Sequence, residues 1–274
     1  MKIRTFLVKC WAICACCLTF GIIFFLFAWI FVKGAGAVTW EFLTEVPKGL
    51  IIGTEGGILP AIVGSACYTG IACLFASILG IATAVYQVFY SRNEKLSQGI
   101  AMVMQCMAGV PSIVMGLFGY SLLVHALGWG KCILAGGITQ GIMILPFIQV
   151  RAEKALREVD PALYKASYAL GLSRAYTIRK IIIPRCLPQL ISGIILGGCY
   201  AMGACAPLIF TGAVIMAKVP KDIMKPAMAL PYHLYMLLTQ GTSSENAYGT
   251  AFVMMIVVLI TNTLATWFAW RRKK

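Results

Sequence analysis

The chain has 274 residues, 60% of them hydrophobic and only 12% charged, with a mean hydropathy of +0.87. A soluble domain carries about twice that charged fraction, so the composition excludes a water-soluble enzyme or binding module and points to a polytopic membrane protein. The formal charge of +14 would suit a nucleic-acid binder, but the basic residues sort by membrane side rather than gathering in one patch.

In chain order, Lys2, Arg4 and Lys9 precede an uncharged run over residues 10–32, long enough to cross about 30 Å of hydrocarbon. Ala35-Gly36-Ala37 has the form of a signal-peptidase site, but the run before it exceeds a signal-peptide core of about 7–15 residues. An uncleaved first span is expected. A polar connection with Glu41, Glu45 and Glu55 follows over residues 33–57. Further apolar stretches cover residues 58–90, 100–127, 132–150, 189–217 and 248–270, before Arg271-Arg272-Lys273-Lys274. Residues 1–57 then read as a first span and outer connection, and residues 58–274 as a transmembrane domain of five helices with a polar loop at 151–188. The fold class expected is all-α with six spans.

With the N-terminus inside, the inner segments hold Lys2, Arg4, Lys9, Arg92, Lys95, eight basic residues from Arg151 to Arg185, and the last four residues. The outer segments hold only Lys33, Lys48, Lys131, Lys218, Lys221 and Lys225. That bias predicts both termini in the cytoplasm and an even number of spans. No Asp, Glu, Lys, Arg or His falls near the middle of a span, where ion-coupled transporters hold their coupling ion. There is no His-Glu-x-x-His and no Gly-x-x-x-x-Gly-Lys-Ser/Thr phosphate loop. If ATP drives this protein, another chain binds it.

Within the polar loop, Asp160-Pro161 marks a helix start: Asp accepts free N–H groups and Pro fits the first helical position. Residues 162–170 propagate the helix, Gly171 supplies the left-handed residue that ends it, and Ser173 caps a second helix. The second helix carries Arg174, Arg179 and Lys180 and is expected to stop before Pro184. A plain cytoplasmic hairpin would give the same signals.

This spacing resembles the EAA loop of bacterial ABC importer permeases, in which Glu-Ala-Ala, a glycine four residues on, and Ile-x-Leu-Pro form the coupling helix. Ala166, Gly171, Ile181 and Pro184 match, Ser167 and Ile183 are near matches, and Lys165 stands where the family has Glu. Six further stretches are similar to the PstA-type permease subunits of phosphate ABC importers. They are Lys33-Gly34-Ala35-Gly36, Trp40-Glu41-Phe42-Leu43-Thr44, the run from Gly56 to Gly64, Ala108-Gly109-Val110-Pro111-Ser112-Ile113-Val114, Ala206-Pro207-Leu208-Ile209-Phe210-Thr211, and Ala229-Leu230-Pro231.

The resemblance implies a non-catalytic permease in the bacterial cytoplasmic membrane, one of two lining the path for inorganic phosphate. Its partners would be a PstC-like second permease, a PstB-like ATPase dimer that binds ATP and Mg, and an extracytoplasmic PstS-like phosphate-binding protein. The chain itself would bind no cofactor. Lys165, Ala166, Ser167, Gly171, Ile181 and Pro184 would couple to the ATPase. Gly109, Pro111, Ser112, Tyr200, Ala204, Pro207 and Thr211 would line the path, with Thr211 and the backbone freed by Pro207 aimed at the anion. Gly109-Val110-Pro111-Ser112 frees backbone groups inside a span, which fits either a wet path or a packing kink. Gly193 and Gly197 are spaced for close helix contact.

The departures concern charge. Tyr200 and Ala204 hold the positions of an Arg and a Glu in the family, and Ile148-Gln149-Val150-Arg151 replaces Ile-Ile-Arg-Thr. Either the partner permease supplies the anion-binding charge or the substrate is another oxyanion; a sensory or scaffold subunit, or an autonomous channel, also remains open. The other candidates read plainly. Most of the 11 cysteines lie in or beside spans, where Cys behaves as a small hydrophobe, and Cys14-x-Cys16-Cys17 has no companion ligands, so no metal site is expected. His125 and His233 read as interfacial, and Tyr232, Tyr235, Trp267 and Trp270 as an aromatic belt. Residues 218–247 read as a solvated loop or as a surface for an acidic binding protein.

Overall fold

The computed structural model describes residues 2–48, 53 and 55–271. Arg272, Lys273, Lys274 and the ring of Trp270 lie outside the described residues. Among those described, the chain is helical, with no strand beyond the isolated bridges Lys48–Glu55 and Ala213–Ala227.

The bundle is built around α6 (Ile133–Arg157), whose most apolar stretch is 72% buried within the protein. Against it lies α3 (Leu59–Val85), which continues as a π-helical turn over Tyr86–Tyr90. In a bilayer the tails are as apolar as leucine, so helices associate through close packing, and small residues permit it. Both helices follow that rule. On α3, Gly64, Tyr68, Ala72, Ala76, Gly80 and Ala84 recur every four residues and are all buried. On α6, a Cβ at Gly137 would lie 2.7 Å from Ile71, and one at Gly141 2.9 Å from Phe75. The N-terminus of α6 is closed by backbone: Thr211, Lys225 and Ile223 carbonyls accept from Cys132, Ile133 and Leu134.

Outside this pair, α9 (Ile183–Gly203) packs on α6 through Gly193 and Gly197. α12 (Ser244–Arg271) packs on α9, and α1 (Lys2–Gly34) packs chiefly on α12. Close approach of Gly34 to the Tyr248 carbonyl marks the crossing of those last two. Short helices α2 (Trp40–Thr44) and α11 (Leu230–Gln240) complete the end of the bundle remote from residues 158–173.

Four expectations are corrected. The third span is not one rod: α4 (Glu94–Gly109) and α5 (Ser112–Gly119, extended by a π-helical turn to Ala126) meet at a bend of 101°. Pro111 has no N–H to continue the ladder and holds Val110 extended, so the helix breaks there. Five helices are therefore long and apolar enough to cross a membrane, and the bent pair makes six if it is counted as one traverse. The fourth span runs on to Arg157 rather than ending at residue 150. The fifth begins at Arg174 and ends at Gly203, because Pro184 does not stop the helix. A π-helical turn over Ile178–Ile182 widens the backbone just ahead of the proline ring and absorbs its missing donor. Finally, residues 218–247 are not a plain solvated loop. Ala227, Met228, Ala229, Leu230 and His233 are buried, and the Leu230 N–H donates to Ser65 Oγ at 2.7 Å.

Candidate functional site

Two groups of sequence-selected residues occupy two places in the fold. The first is the hairpin of α7 (Pro161–Ala169) and α8 (Arg174–Thr177), which hangs from one end of the bundle. Its local structure follows its residues. Asp160 Oδ1 accepts from the Ala162 N–H at 2.9 Å, Gly171 takes φ +72°, and Ser173 Oγ accepts from the Tyr176 N–H at 3.3 Å. Lys165, Ala166, Gly171 and Pro184 are exposed, Ile181 is half-buried and Ser167 is buried, its hydroxyl donating to the Leu163 carbonyl. Large apolar side chains also stand in the open at this polar end: Leu170 is 78% exposed, Tyr168 54% and Tyr176 51%. Exposed apolar groups of that kind are a mark of interaction surfaces.

The hairpin is fastened to the bundle at a point the sequence did not reveal. The Tyr164 ring stacks on Phe89 with centroids 6.0 Å apart, and the Arg174 guanidinium lies 4.8 Å from the Tyr90 ring centroid. Both anchors belong to the π-helical end of α3. From there a buried amide relay runs inward. Gln87 donates to the Ser97 carbonyl of α4 and accepts from Gln149 of α6, which also donates to Glu153 at 2.9 Å. Glu153 in turn pairs with Arg157 at 2.8 Å. The signal available was the amides themselves, polar groups in apolar spans that must find partners inside the protein.

The second group gathers where α5, α9 and α10 (Ala206–Thr211) meet. α9 ends at Gly203 and α10 starts at Ala206, so this span is broken too. A Cβ on Gly116 would lie 3.0 Å from the Ala206 carbonyl and the Pro207 Cα, which places the break after Gly203 beside the first turns after Pro111. Gly109 and Pro111 are exposed, and Ser112 and Ala204 are half-buried. Pro207 and Thr211 are buried, and the Thr211 hydroxyl donates to the Pro207 carbonyl at 2.7 Å. Thr211 thus satisfies the helix that carries it and presents no free hydroxyl to an anion. Gln140 of α6, which the sequence reading passed over, holds the break: its Nε2 donates to the carbonyls of Ala201 at 2.9 Å and Ala204 at 3.2 Å.

Tyr200 is 57% exposed and stacks on Phe147 with centroids 6.5 Å apart, while the Arg151 guanidinium lies 4.7 Å from the same Phe147 ring. The two altered positions of the sequence, on different helices, therefore share one exposed face. At the end remote from the hairpin, His233 is buried rather than interfacial. Its Nδ1 lies 3.1 Å from Thr250 Oγ1, and burial pushes its pKa down to about 4. Among the described residues no group of His, Cys, Asp or Glu is placed to hold a metal ion.

Comparison with known proteins fits this geometry. Residues 76–274 match the family described as the binding-protein-dependent transport system inner membrane component. A probable ABC transporter permease protein, YqgI of Bacillus subtilis, is 31% identical over 257 residues, spanning 88% of this chain and 87% of that one. A probable phosphate transport system permease protein PstA of Methanocaldococcus jannaschii is 32% identical over 209 residues, spanning 75% and 73%. Among solved structures, an inward-facing MetNI methionine ABC transporter superposes with a TM-score of 0.65 at 16% identity, over 78% of this chain and 95% of that one.

Proposed function

This chain belongs to the family of binding-protein-dependent inner membrane components, the permease subunits of ABC importers, and on that premise we propose that it carries inorganic phosphate. The observation that carries the reading is the similarity, at about a third identity and over three quarters of the chain, to permeases named for phosphate transport. An ABC importer permease works with an ATPase and a binding protein. Here we take them to be a PstB-like dimer that binds ATP and Mg, and a PstS-like phosphate-binding protein, with a PstC-like second permease. The hairpin end and both termini are then cytoplasmic, in keeping with the charge bias. Residues 1–57 attach at the edge of a transmembrane domain formed by residues 58–274.

The geometry suggests how force would pass. Residues 174–203 form one continuous helical rod, about 45 Å at 1.5 Å per residue, from the hairpin to the break held by Gln140. An ATPase that moves Lys165, Ala166, Gly171 and Pro184 tilts this rod as a rigid body, while α10 stays with α5 and α6 beyond the break. The relative motion falls at Tyr200 and Ala204, between the end of the rod and α10, which lies against α5. Rigid elements meeting at a bistable break are a usual way to convert a small shift into a change of access.

Tyr200 and Ala204, neither of them charged, favour a second reading in which the path takes another oxyanion. Uptake by the complete complex in proteoliposomes, with phosphate set against sulfate, molybdate and phosphonate, separates the two. ATP-dependent phosphate uptake is expected. Preference for another anion makes Tyr200 and Ala204 specificity positions, and ATP hydrolysis without any uptake gives a sensory role instead. Replacing Gly171 with Val, which no side chain obstructs but which strains φ +72°, should leave insertion intact and uncouple hydrolysis from uptake.

A further inference from the structure

At the hairpin end, α6, α9 and the start of the hairpin line a cleft of about 1150 Å³. Three of its lining residues are cations drawn from both facing helices: Arg151 and Lys154 from α6, and Arg185 from α9. We propose that this cleft is a binding site for a phosphate group.

The cations are spread along the two helices. Arg151 lies opposite Gly193, where a Cβ would approach it to 3.4 Å, and is the farthest of the three from the hairpin along its helix. One turn nearer the hairpin, the Cys186 thiol donates to the Ala155 carbonyl at 3.3 Å, which sets Lys154 and Arg185 at a common level. The acidic members, Glu158 and Asp160, come after the end of α6. Asp160 is further occupied in capping α7. Among the described residues neither Arg151 nor Arg185 has an ion pair, and Lys154 meets Glu158 only at 3.9 Å with both side chains exposed, a contact worth little. The Arg151 guanidinium lies over the Phe147 face, an arrangement that orients the cation while leaving its in-plane N–H groups unspent.

Two arginines and a lysine lining one cleft suit a tetrahedral oxyanion with three or four oxygens better than a carboxylate with two. The level of the cleft, at the end of the apolar spans, allows two sources of that group: a phosphate ion in solution at the cytoplasmic mouth, or the phosphate of an anionic lipid in the adjoining leaflet. The site does not depend on phosphate being the transported ion, because its lipid form stands even if uptake assays select another anion.

The test uses the complete importer in nanodiscs of pure phosphatidylcholine, and in nanodiscs of three parts phosphatidylcholine to one of phosphatidylglycerol. Binding of inorganic phosphate is measured in the first and retained phosphatidylglycerol by native mass spectrometry in the second. Wild type is compared with Arg151→Gln, Arg185→Gln and their double variant, and with Arg92→Gln/Lys95→Gln as a charge-matched change elsewhere at the same end. Phosphate binding weakened about tenfold by each single change and not by the control supports the site with a free anion as occupant. Retained phosphatidylglycerol lost in the double variant alone supports it with a lipid as occupant. If both ligands bind the double variant as they bind wild type, or neither binds wild type, the assignment is wrong.

Discussion

α1 and α6 are both apolar rods long enough to cross a bilayer, yet the more apolar of the two lies at the edge of the bundle, packed chiefly on α12. None of the apolar stretch of α1 is buried, against 72% of that of α6. The difference lies in small and polar residues, not in hydropathy. α6 brings Gly136, Gly137 and Gly141 to its neighbours and places Thr139, Gln140 and Gln149 where partners await them, while α1 presents Trp11, Phe20, Phe24 and Phe25 outward. Apolarity sends a helix into the membrane; what it then packs against is decided by where side chains are absent.

The largest effect expected from that contrast comes from adding one methyl group. At Gly64 of α3 a Cβ would fall 2.0 Å from the Met228 carbonyl, backbone against backbone, whereas nothing lies within 4 Å of Gly21 in α1. Gly64→Ala should cost about 3 kcal/mol, the upper part of the usual range for overpacking. Gly21→Ala should be neutral or stabilise by less than about 1 kcal/mol through helix propensity. Thermal melting of the purified protein in detergent compares them, and equal melting points would refute the packing account.

The two histidines extend the same contrast to pH. His125 is exposed, but His233 is buried and its pKa is pushed down to about 4. The unfolded chain takes up the His233 proton near 6.5 while the folded one resists, so stability is fully present above 6.5 and falls as pH drops through 4. The loss amounts to about 3 kcal/mol over that window. A His233→Asn variant should melt at a temperature that varies less between pH 7 and pH 4. Identical pH dependence in variant and wild type would show that another group controls it.

Gln140 gives a smaller effect. Its amide closes the carbonyls of Ala201 and Ala204 at the break in the fifth span, so Gln140→Leu takes away the donor they share and leaves Ala201 only the Ala204 N–H at 3.0 Å. A loss of about 1–3 kcal/mol follows. Transport should fall further than stability does, because the break is where the rod of residues 174–203 must pivot. Unchanged uptake with a lowered melting point would make Gln140 a packing residue only.

How much was legible in the sequence divides along the same line. The hairpin was legible almost residue by residue, since Asp160, Pro161, Gly171 and Ser173 act through local backbone chemistry that needs no knowledge of neighbours. The apolar runs were legible too, from length and composition, but not how sharply the third bends, where the fourth ends or where the fifth begins and ends. The breaks were half legible. Pro111 marked one and Pro207 freed backbone near the other, but nothing local showed that Gln140, some sixty residues earlier, donates to the carbonyls there. Pro184 misled for the opposite reason: a π-helical turn absorbed it. Thr211 was aimed at the anion on the strength of the resemblance, but its hydroxyl donates to the carbonyl one turn back. Tyr200 and Arg151 were each noticed as departures. That both lie against one Phe147 ring required the packing of α9 on α6.

The finest test concerns rings. α1 carries an aromatic pair, Phe25 and Trp29, with centroids 5.8 Å apart, and the end of α3 carries Phe89 on Tyr164 and Tyr90 under Arg174. Each contact is worth about 0.5–2 kcal/mol, so none decides whether the protein folds. Their positions differ: the pair on α1 joins two residues of one helix, whereas the other two join the hairpin to α3 and, through Gln87, to α4 and α6. Phe25→Leu should therefore change neither stability nor transport measurably. Phe89→Leu and Tyr90→Leu should lower melting only slightly yet raise the ATP hydrolysed per ion imported, because the hairpin would move without carrying α3 with it. Tyr90→Phe keeps the ring face and should restore the ratio, while Arg174→Lys keeps charge but loses the planar stack and should fall between. A double-mutant cycle on Phe89 and Tyr164 reads the link itself, with a coupling energy of about 0.5–1.5 kcal/mol expected. If Tyr90→Leu imports as efficiently per ATP as Tyr90→Phe, motion reaches the bundle through α6 and α9 alone, and the end of α3 is only a resting place for the hairpin.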